Sequence, residues 1–336
     1  MKKIFLSTEI KGDKSAWTKA KVDVAQILDR AGYQSVYFPK MKSFSEFTNF
    51  WKTLSLVAEK DSHLIVEFPF YPRVRMWALS LFKIVKGVKL YAVIHDISDL
   101  RLVEQKQRSD MHFLTRFDGL ISHNSFMTAW LRKKGYKKPI VDLQVFDYCL
   151  EQGKDFNEDV LNGKLKILYA GNLAYNKATY IYDKKIDELN KVQFYVYGQH
   201  FEKERSNGSS IRYEGVFNPG TPELADKYHF GLIWEGSSTE TCSGEYGQYI
   251  RFNNPHKFSL YISLGLPVIV WKEAAIASFV KEHNIGVAIG SLKELNTLGE
   301  KITQAQYMEF IKNLKSLSPK VRDGFFLNKA VNELVN

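Results

Sequence analysis

Between Phe230 and Trp271 the chain reads FGLIWEGSSTETCSGEYGQYIRFNNPHKFSLYISLGLPVIVW, a strand, a glycine-rich loop, a helix and a strand whose chemistry suits an anion. Asn254 fits a helix N-cap, Pro255 the first helical position and Gly265 the position after the last turn. Lys257 then falls in the first turn. That helix end already carries partial positive charge and prefers an anion to a cation. Free backbone N–H groups with Lys257 beside them make a place for phosphate. The alternative is a surface Lys on an ordinary amphipathic helix.

Other polar clusters stand at the ends of apolar runs, where open parallel sheets bind ligands. Tyr169-Ala170-Gly171-Asn172-Leu173 closes one run, with Lys177 six residues beyond Gly171. Gly171 permits a tight turn and a close approach of ligand to backbone. Tyr197-Gly198 closes the next run. A Tyr there stacks on a nucleobase or lies at the edge of the core. His95-Asp96 follows Leu90–Ile94, with Asp99 and Arg101 close behind. Either side chain can take a proton as a general base, and Asp96 can equally cap the helix that follows. His123-Asn124 is a weaker candidate of the same kind.

The elements that position these groups alternate. Lys2–Ser7, Ser35–Pro39, His63–Pro69, Leu90–His95, Gly119–His123 and Pro139–Val145 read as buried parallel strands. Helices are expected over Ser15–Ala31, Ser43–Lys60, Arg73–Lys86, Leu100–Arg116 and Ser125–Lys134. The polar stretch 151–163 reads as a linker. A second alternating block has strands at Leu165–Tyr169, Val192–Tyr197, Ile211–Gly215, Phe230–Trp234, Pro267–Trp271 and Gly286–Ile289. A helix is expected over Thr221–Tyr228. Helix is also expected on both sides of a break near Ser318-Pro319 in the tail. The pattern is α/β, with two Rossmann-like doubly wound domains. They span 1–150 and 164–318, and the helix 319–336 is expected to return to the first.

The chain has 336 residues, enough for two cores. Its charge is uneven. Residues 1–150 hold 25 Lys and Arg against 15 Asp and Glu, and the remainder hold 22 against 22. A basic half suggests an anionic surface or polymer, or a solubilising face. The aromatic and arginine-rich segment Phe68–Trp77 and the apolar run to Lys86 read as a membrane-surface helix or as a helix packed on the sheet with a basic outer edge. Cys149 and Cys242 make no framework and no metal-ligand spacing. Neither a signal peptide nor a membrane span is apparent, which points to the cytoplasm. No G-x-G-x-x-G follows either first strand, which argues against a dehydrogenase. No recognition motif supports nucleic-acid binding.

FGLIW, CSG, FNNPHK and LPV, with IHDISDLR at 94–101, ISHN at 121–124 and YAGNL at 169–173, resemble the bacterial β-1,6-galactofuranosyltransferases of surface-polysaccharide assembly. More distantly they resemble the glucosyltransferases of streptococcal serine-rich adhesins. The blocks keep order and spacing over nearly the whole chain. The resemblance implies a GT-B fold with an interdomain cleft. It implies transfer from a UDP-sugar, galactofuranose above others, to a glycan or lipid-linked oligosaccharide, with inversion and with peripheral contact to the inner membrane face. The alternatives are a UDP-glucose-dependent glucosyltransferase or a non-catalytic GT-B partner. On this reading Gly171, Asn172, Lys177, Tyr197, Asn253, Asn254 and Lys257 meet the UDP-sugar. The acceptor's proton goes to Asp96, then His95, then Glu9. Many GT-B enzymes carry two glutamates separated by seven residues before a Gly-x-Pro turn. Those places here hold Phe252 and Leu260, so Glu235, Glu240 or Glu245 must supply any ribose carboxylate. No Asp-x-Asp occurs. No metal or other cofactor is therefore expected, and Lys177, Lys257 and helix N-termini are left to neutralise the diphosphate.

Overall fold

The computed structural model describes residues 1–8, 16–38, 44–101, 109–150, 156–159, 161, 163–206, 208–224 and 228–335. The chain separates into two compact units, Met1–Gln144 with Gly324–Asn336, and Val145–Asp323.

The first unit runs β1 (Lys3–Thr8), α1 (Ala16–Arg30), β2 (Gln34–Phe38), α2 (Phe44–Val57), β3 (His63–Phe68), α3 (Val74–Lys86) and β4 (Lys89–Ile94). It continues through two short helices, α4 (Ser98–Arg101) and α5 (Met111–Leu114), to β5 (Gly119–Ser122), α6 (Ser125–Lys133) and β6 (Ile140–Asp142). The six strands are parallel in the order β2-β1-β3-β4-β5-β6. All six residues of β3 are buried, as expected where helices cover both faces of a sheet.

The second unit contains β7 (Leu165–Ala170), β8 (Val192–Tyr197), β9 (Ile211–Gly215), β10 (Phe230–Ile233), α7 (Gly244–Tyr249), α8 (His256–Ser263), β11 (Val268–Trp271), α9 (Ala277–His283), β12 (Gly286–Ile289), α10 (Leu295–Lys301) and α11 (Gln304–Asp323). Its parallel strands lie in the order β12-β11-β10-β7-β8-β9. The last helix, α12 (Phe325–Val335), belongs to the first unit, where it packs on β5, β6 and α1.

Four readings change. The tail does not break at Ser318-Pro319. α11 runs through Pro319 and ends at Gly324, whose φ is +83°. Proline removes one N–H but keeps a helical φ, whereas a left-handed residue turns the chain out of the helix. The helix expected over Leu100–Arg116 is not continuous: among the described residues it gives α4 and α5, Ser109 and Asp110 are not helical, and 102–108 lie outside the described residues. Thr221 starts no helix but bridges Asn218, and 225–227 are likewise undescribed. Finally, the outer edge of α3 is not basic. Its exposed positions are Val74, Trp77, Leu81, Ile84 and Val85, and Lys83 bends away to Asp118 at 2.5 Å.

In the second unit a contact chain fixes α8 on the sheet. Tyr261 is fully buried and its hydroxyl accepts the Ala170 N–H at 2.8 Å, at the end of β7. Its ring lies over Gly231 of β10, where an added Cβ would stand 2.3 Å from a ring carbon. Gly231→Ala is expected to destabilise the second unit by about 1–3 kcal/mol through overpacking. Scanning calorimetry should show that unit's transition lowered by several degrees.

Candidate functional site

In both units the polar side chains gather where the strand order reverses. In the second unit that point lies between β7 and β10. Lys257 sits one helical turn before Tyr261, on the same face of α8, so the pinning of Tyr261 also aims Lys257. Its Nζ lies 3.9 Å from the centroid of the buried Tyr169 ring and 2.6 Å from Glu235 Oε1. An added Cβ on Gly171 would be 3.3 Å from the same ammonium. The pair with Glu235 is close but not aligned as a hydrogen bond, and the ammonium is shielded from solvent. Burial, reinforced by the Glu235 charge, pushes the Tyr169 phenol well above its usual range. The ring is therefore a neutral floor beneath the cation.

Lys177 approaches from the loop after β7. Its Nζ lies 4.9 Å from the Tyr246 ring centroid, and its carbonyl accepts the Gly236 N–H at 3.0 Å. Gly236 has φ +102° and passes so close to the Ser243 carbonyl that a Cβ would stand 2.0 Å from it. The structure thus brings Gly171, Lys177 and Lys257 to one strand edge. Asn172 is exposed there, and its side chain accepts the Ala174 N–H. Asn254 is buried, and the Asn253 Oδ1 is shielded without a hydrogen-bond donor. The N-cap of α8 is Pro255, with no side-chain cap bond, so Asn254 is not the cap that its spacing suggested.

Tyr197 requires a correction. It is 3% exposed, its hydroxyl pairs with the Tyr228 hydroxyl at 2.9 Å, and Phe217 lies against it. A ring buried on this scale offers no face to a base. Among the three glutamates considered for the missing carboxylate, Glu235 stands at Lys257. Glu240 instead pairs with Lys293, and Glu245 is exposed.

In the first unit the reversal falls between β1 and β3. Glu67, next to last in β3, is fully buried. Ser7 Oγ donates to its Oε2 at 2.5 Å, Lys21 Nζ lies 3.3 Å from Oε2, and His95 Nε2 lies 3.4 Å from Oε1. Burial alone would raise the Glu67 pKa, but His95, Lys21 and Ser7 outweigh it and hold the carboxyl below its usual value. His123 ends β5 fully enclosed, its Nε2 3.0 Å from the Ile94 carbonyl. Burial, with a further push from His95, lowers its pKa to about 3. Asp96 carries more exposure than His95 and is held by Arg101 Nη1 at 2.9 Å. The Ser98 N–H at the start of α4 goes to Asp110, not to Asp96. Asn124 caps α6 by accepting from Phe126 and Met127. Glu9 lies outside the described residues.

Glu67 and Lys21 were missed at the sequence level. The available signal was a lone carboxylate inside the apolar run HLIVEFPF, since a buried charge requires partners. Among the described residues, no three His, Cys, Asp or Glu side chains come together to hold a metal, and no helix is long and apolar enough to cross a membrane.

Two all-parallel Rossmann-like units with polar groups at their switch points define the GT-B class of glycosyltransferase folds. Solved structures agree in fold. Anabaena HepE in complex with UDP and glucose superposes with a TM-score of 0.59 at 12% identity over 99% of both chains. The trehalose 6-phosphate synthase of Burkholderia multivorans gives 0.55 at 10% identity over 99% of this chain and 97% of that one. The N-terminal model of the glucosyltransferase 3-like family matches residues 3–145 and its C-terminal model residues 167–334. The chain belongs to the glucosyltransferase 3-like family. It is 36% identical to the Escherichia coli K12 β-1,6-galactofuranosyltransferase WbbI, over 83% of this chain and 80% of that protein. It is 26% identical to glucosyltransferase 3 of Streptococcus gordonii over 40% of each.

The buried histidine makes the first unit acid-sensitive. A folded-state pKa of about 3 against about 6.5 unfolded means that the unfolded chain binds the extra proton first. The contribution of neutral His123 is complete above about pH 6.5 and is lost as pH falls toward 3. At pH 5 the loss is about 2 kcal/mol. Thermal unfolding from pH 7.5 to 5 should show this slope in the parent and a shallower one in His123→Gln.

Proposed function

We propose that the protein transfers a sugar from a UDP-sugar to a glycan or lipid-linked oligosaccharide, with galactofuranose as the sugar, inversion at the anomeric carbon and no metal. The observation that carries the reading is Lys257 on the first turn of α8, beside Gly171 at the switch point of the second unit. A diphosphate there meets the ammonium, helix N–H groups and a closely approachable backbone, with Lys177 nearby. The relative named as a galactofuranosyltransferase covers most of the chain and supports that donor. The family's glucosyltransferase 3 relatives support UDP-glucose as the second reading.

In the proposed step the acceptor hydroxyl oxygen attacks the anomeric carbon as a base takes its proton. The bond from that carbon to the diphosphate oxygen breaks, and UDP leaves with the electron pair. Asp96 is the base. Arg101 Nη1 holds it at 2.9 Å, and its side chain is 14% exposed against 2% for His95. His95, backed by Glu67, stands beside it as the alternative.

Three measurements test this reading. UDP release should be fastest with UDP-galactofuranose in a screen that includes UDP-galactopyranose and UDP-glucose, and EDTA should leave it intact. Preference for UDP-glucose selects the second reading, and loss with EDTA restored by Mn²⁺ ends the metal-free one. Lys257→Ala should weaken UDP about tenfold or more and uridine far less, because a charge-assisted contact to phosphate is lost. Calorimetric titration with both ligands reads the difference. Asp96→Asn should lower turnover about 10²–10⁴-fold with UDP affinity unchanged. Near-normal turnover in that variant, with a comparable loss in His95→Gln, moves the base to His95.

A further inference from the structure

We infer that the outer face of α3, with the adjoining end of α2, is a docking surface for a bilayer containing anionic phospholipid. Every exposed position of this helix is apolar. Val74, Trp77, Leu81, Ile84 and Val85 are 45, 44, 51, 78 and 60% exposed, spaced so that they form one stripe along its length. Leu56 at the end of α2 adds another side chain at 73%. Contiguous exposed apolar surface of this kind marks an interaction site. At 13 residues the helix is far too short to span a bilayer and suits one lying in the interface.

Charge selects the occupant. From residue 68 to residue 95 the chain has Arg73, Arg75, Lys83, Lys86 and Lys89 and no Asp or Glu. Arg75 is buried, Arg73 is paired with Asp110 and Lys83 with Asp118. Cations nevertheless frame both ends of the stripe. The Arg116 guanidinium lies 3.7 Å from the Trp77 ring centroid at one end. Lys86 closes the other end, with the Lys60 side chain against Gly87. Lys52 is exposed on α2. Anionic headgroups meet such a frame while the apolar stripe enters the acyl boundary, and a tryptophan beside an arginine suits the headgroup level. A second copy of this chain fits poorly, because a two-fold contact through this face sets its cations against each other.

The inference is independent of the transferase reading, and the test keeps them apart. The parent should cosediment with phosphatidylglycerol-containing vesicles and only weakly with phosphatidylcholine vesicles, and salt should reduce binding without abolishing it. Leu81→Ser with Ile84→Ser should lower binding at least tenfold and Lys86→Glu severalfold, with melting temperature and UDP affinity unchanged. In the parent, brominated lipid should quench a tryptophan component that Trp77→Phe removes, which keeps the test valid should the double variant fold poorly. Equal binding of parent and double variant, no binding by the parent, or no Trp77-dependent quenching overturns the proposal. So does a parent dimer that the double variant dissociates in sedimentation equilibrium while vesicle binding persists.

Discussion

A parallel sheet cannot turn its chain back within itself, so each strand must be followed by a crossover, and a sheet built outward in both directions has one place where neighbouring crossovers part. Two of this protein's enclosed carboxylates, Glu67 and Glu235, stand at that gap with their partners. In the first unit it lies between β1 and β3 and receives Ser7 and Glu67. In the second it lies between β7 and β10 and receives Gly171 and Glu235. Carboxylates at other strands, such as Asp142 on β6 with Ser122 and Thr128, also come with partners, because a buried charge requires them.

The two gaps solve the same electrostatic problem differently. Glu67 is surrounded by a hydroxyl, an ammonium and an imidazole, all enclosed. Removing one member would leave a charge uncompensated at a cost of several kcal/mol, which suits a fixed scaffold behind Asp96. Glu235 and Lys257 are less deeply enclosed, and the ammonium is placed over a ring rather than in a hydrogen-bond network. In the proposed reaction a diphosphate competes for that cation, since it brings more negative charge than the carboxylate it meets.

The alternation of apolar runs and amphipathic stretches made both sheets legible, because buried parallel strands read as continuous apolar segments. The strand-end placement of Gly171 and Asp96 followed from the same pattern, as did Lys257 in the first turn of a helix. What escaped was set by tertiary contact. Tyr197 ends its strand as expected, but whether its ring faces solvent depends on Phe217 and Tyr228, distant in sequence. Lys21 lies on a helix whose sequence gives no sign that it faces Glu67 on β3. Pro319 reads locally as a helix breaker, yet α11 continues through it, and Gly324, in the left-handed region, does the turning.

That turn at Gly324 also orders events during synthesis. The helix covering β5 and β6 of the first unit is separated from them by the entire second unit and is translated after it. The second unit is complete once α11 has left the ribosome. The first unit, although translated earlier, lacks the cover of β5 and β6 until α12 emerges. The amino-terminal half therefore finishes second, and its nascent sheet is the species that needs protection from aggregation while elongation continues.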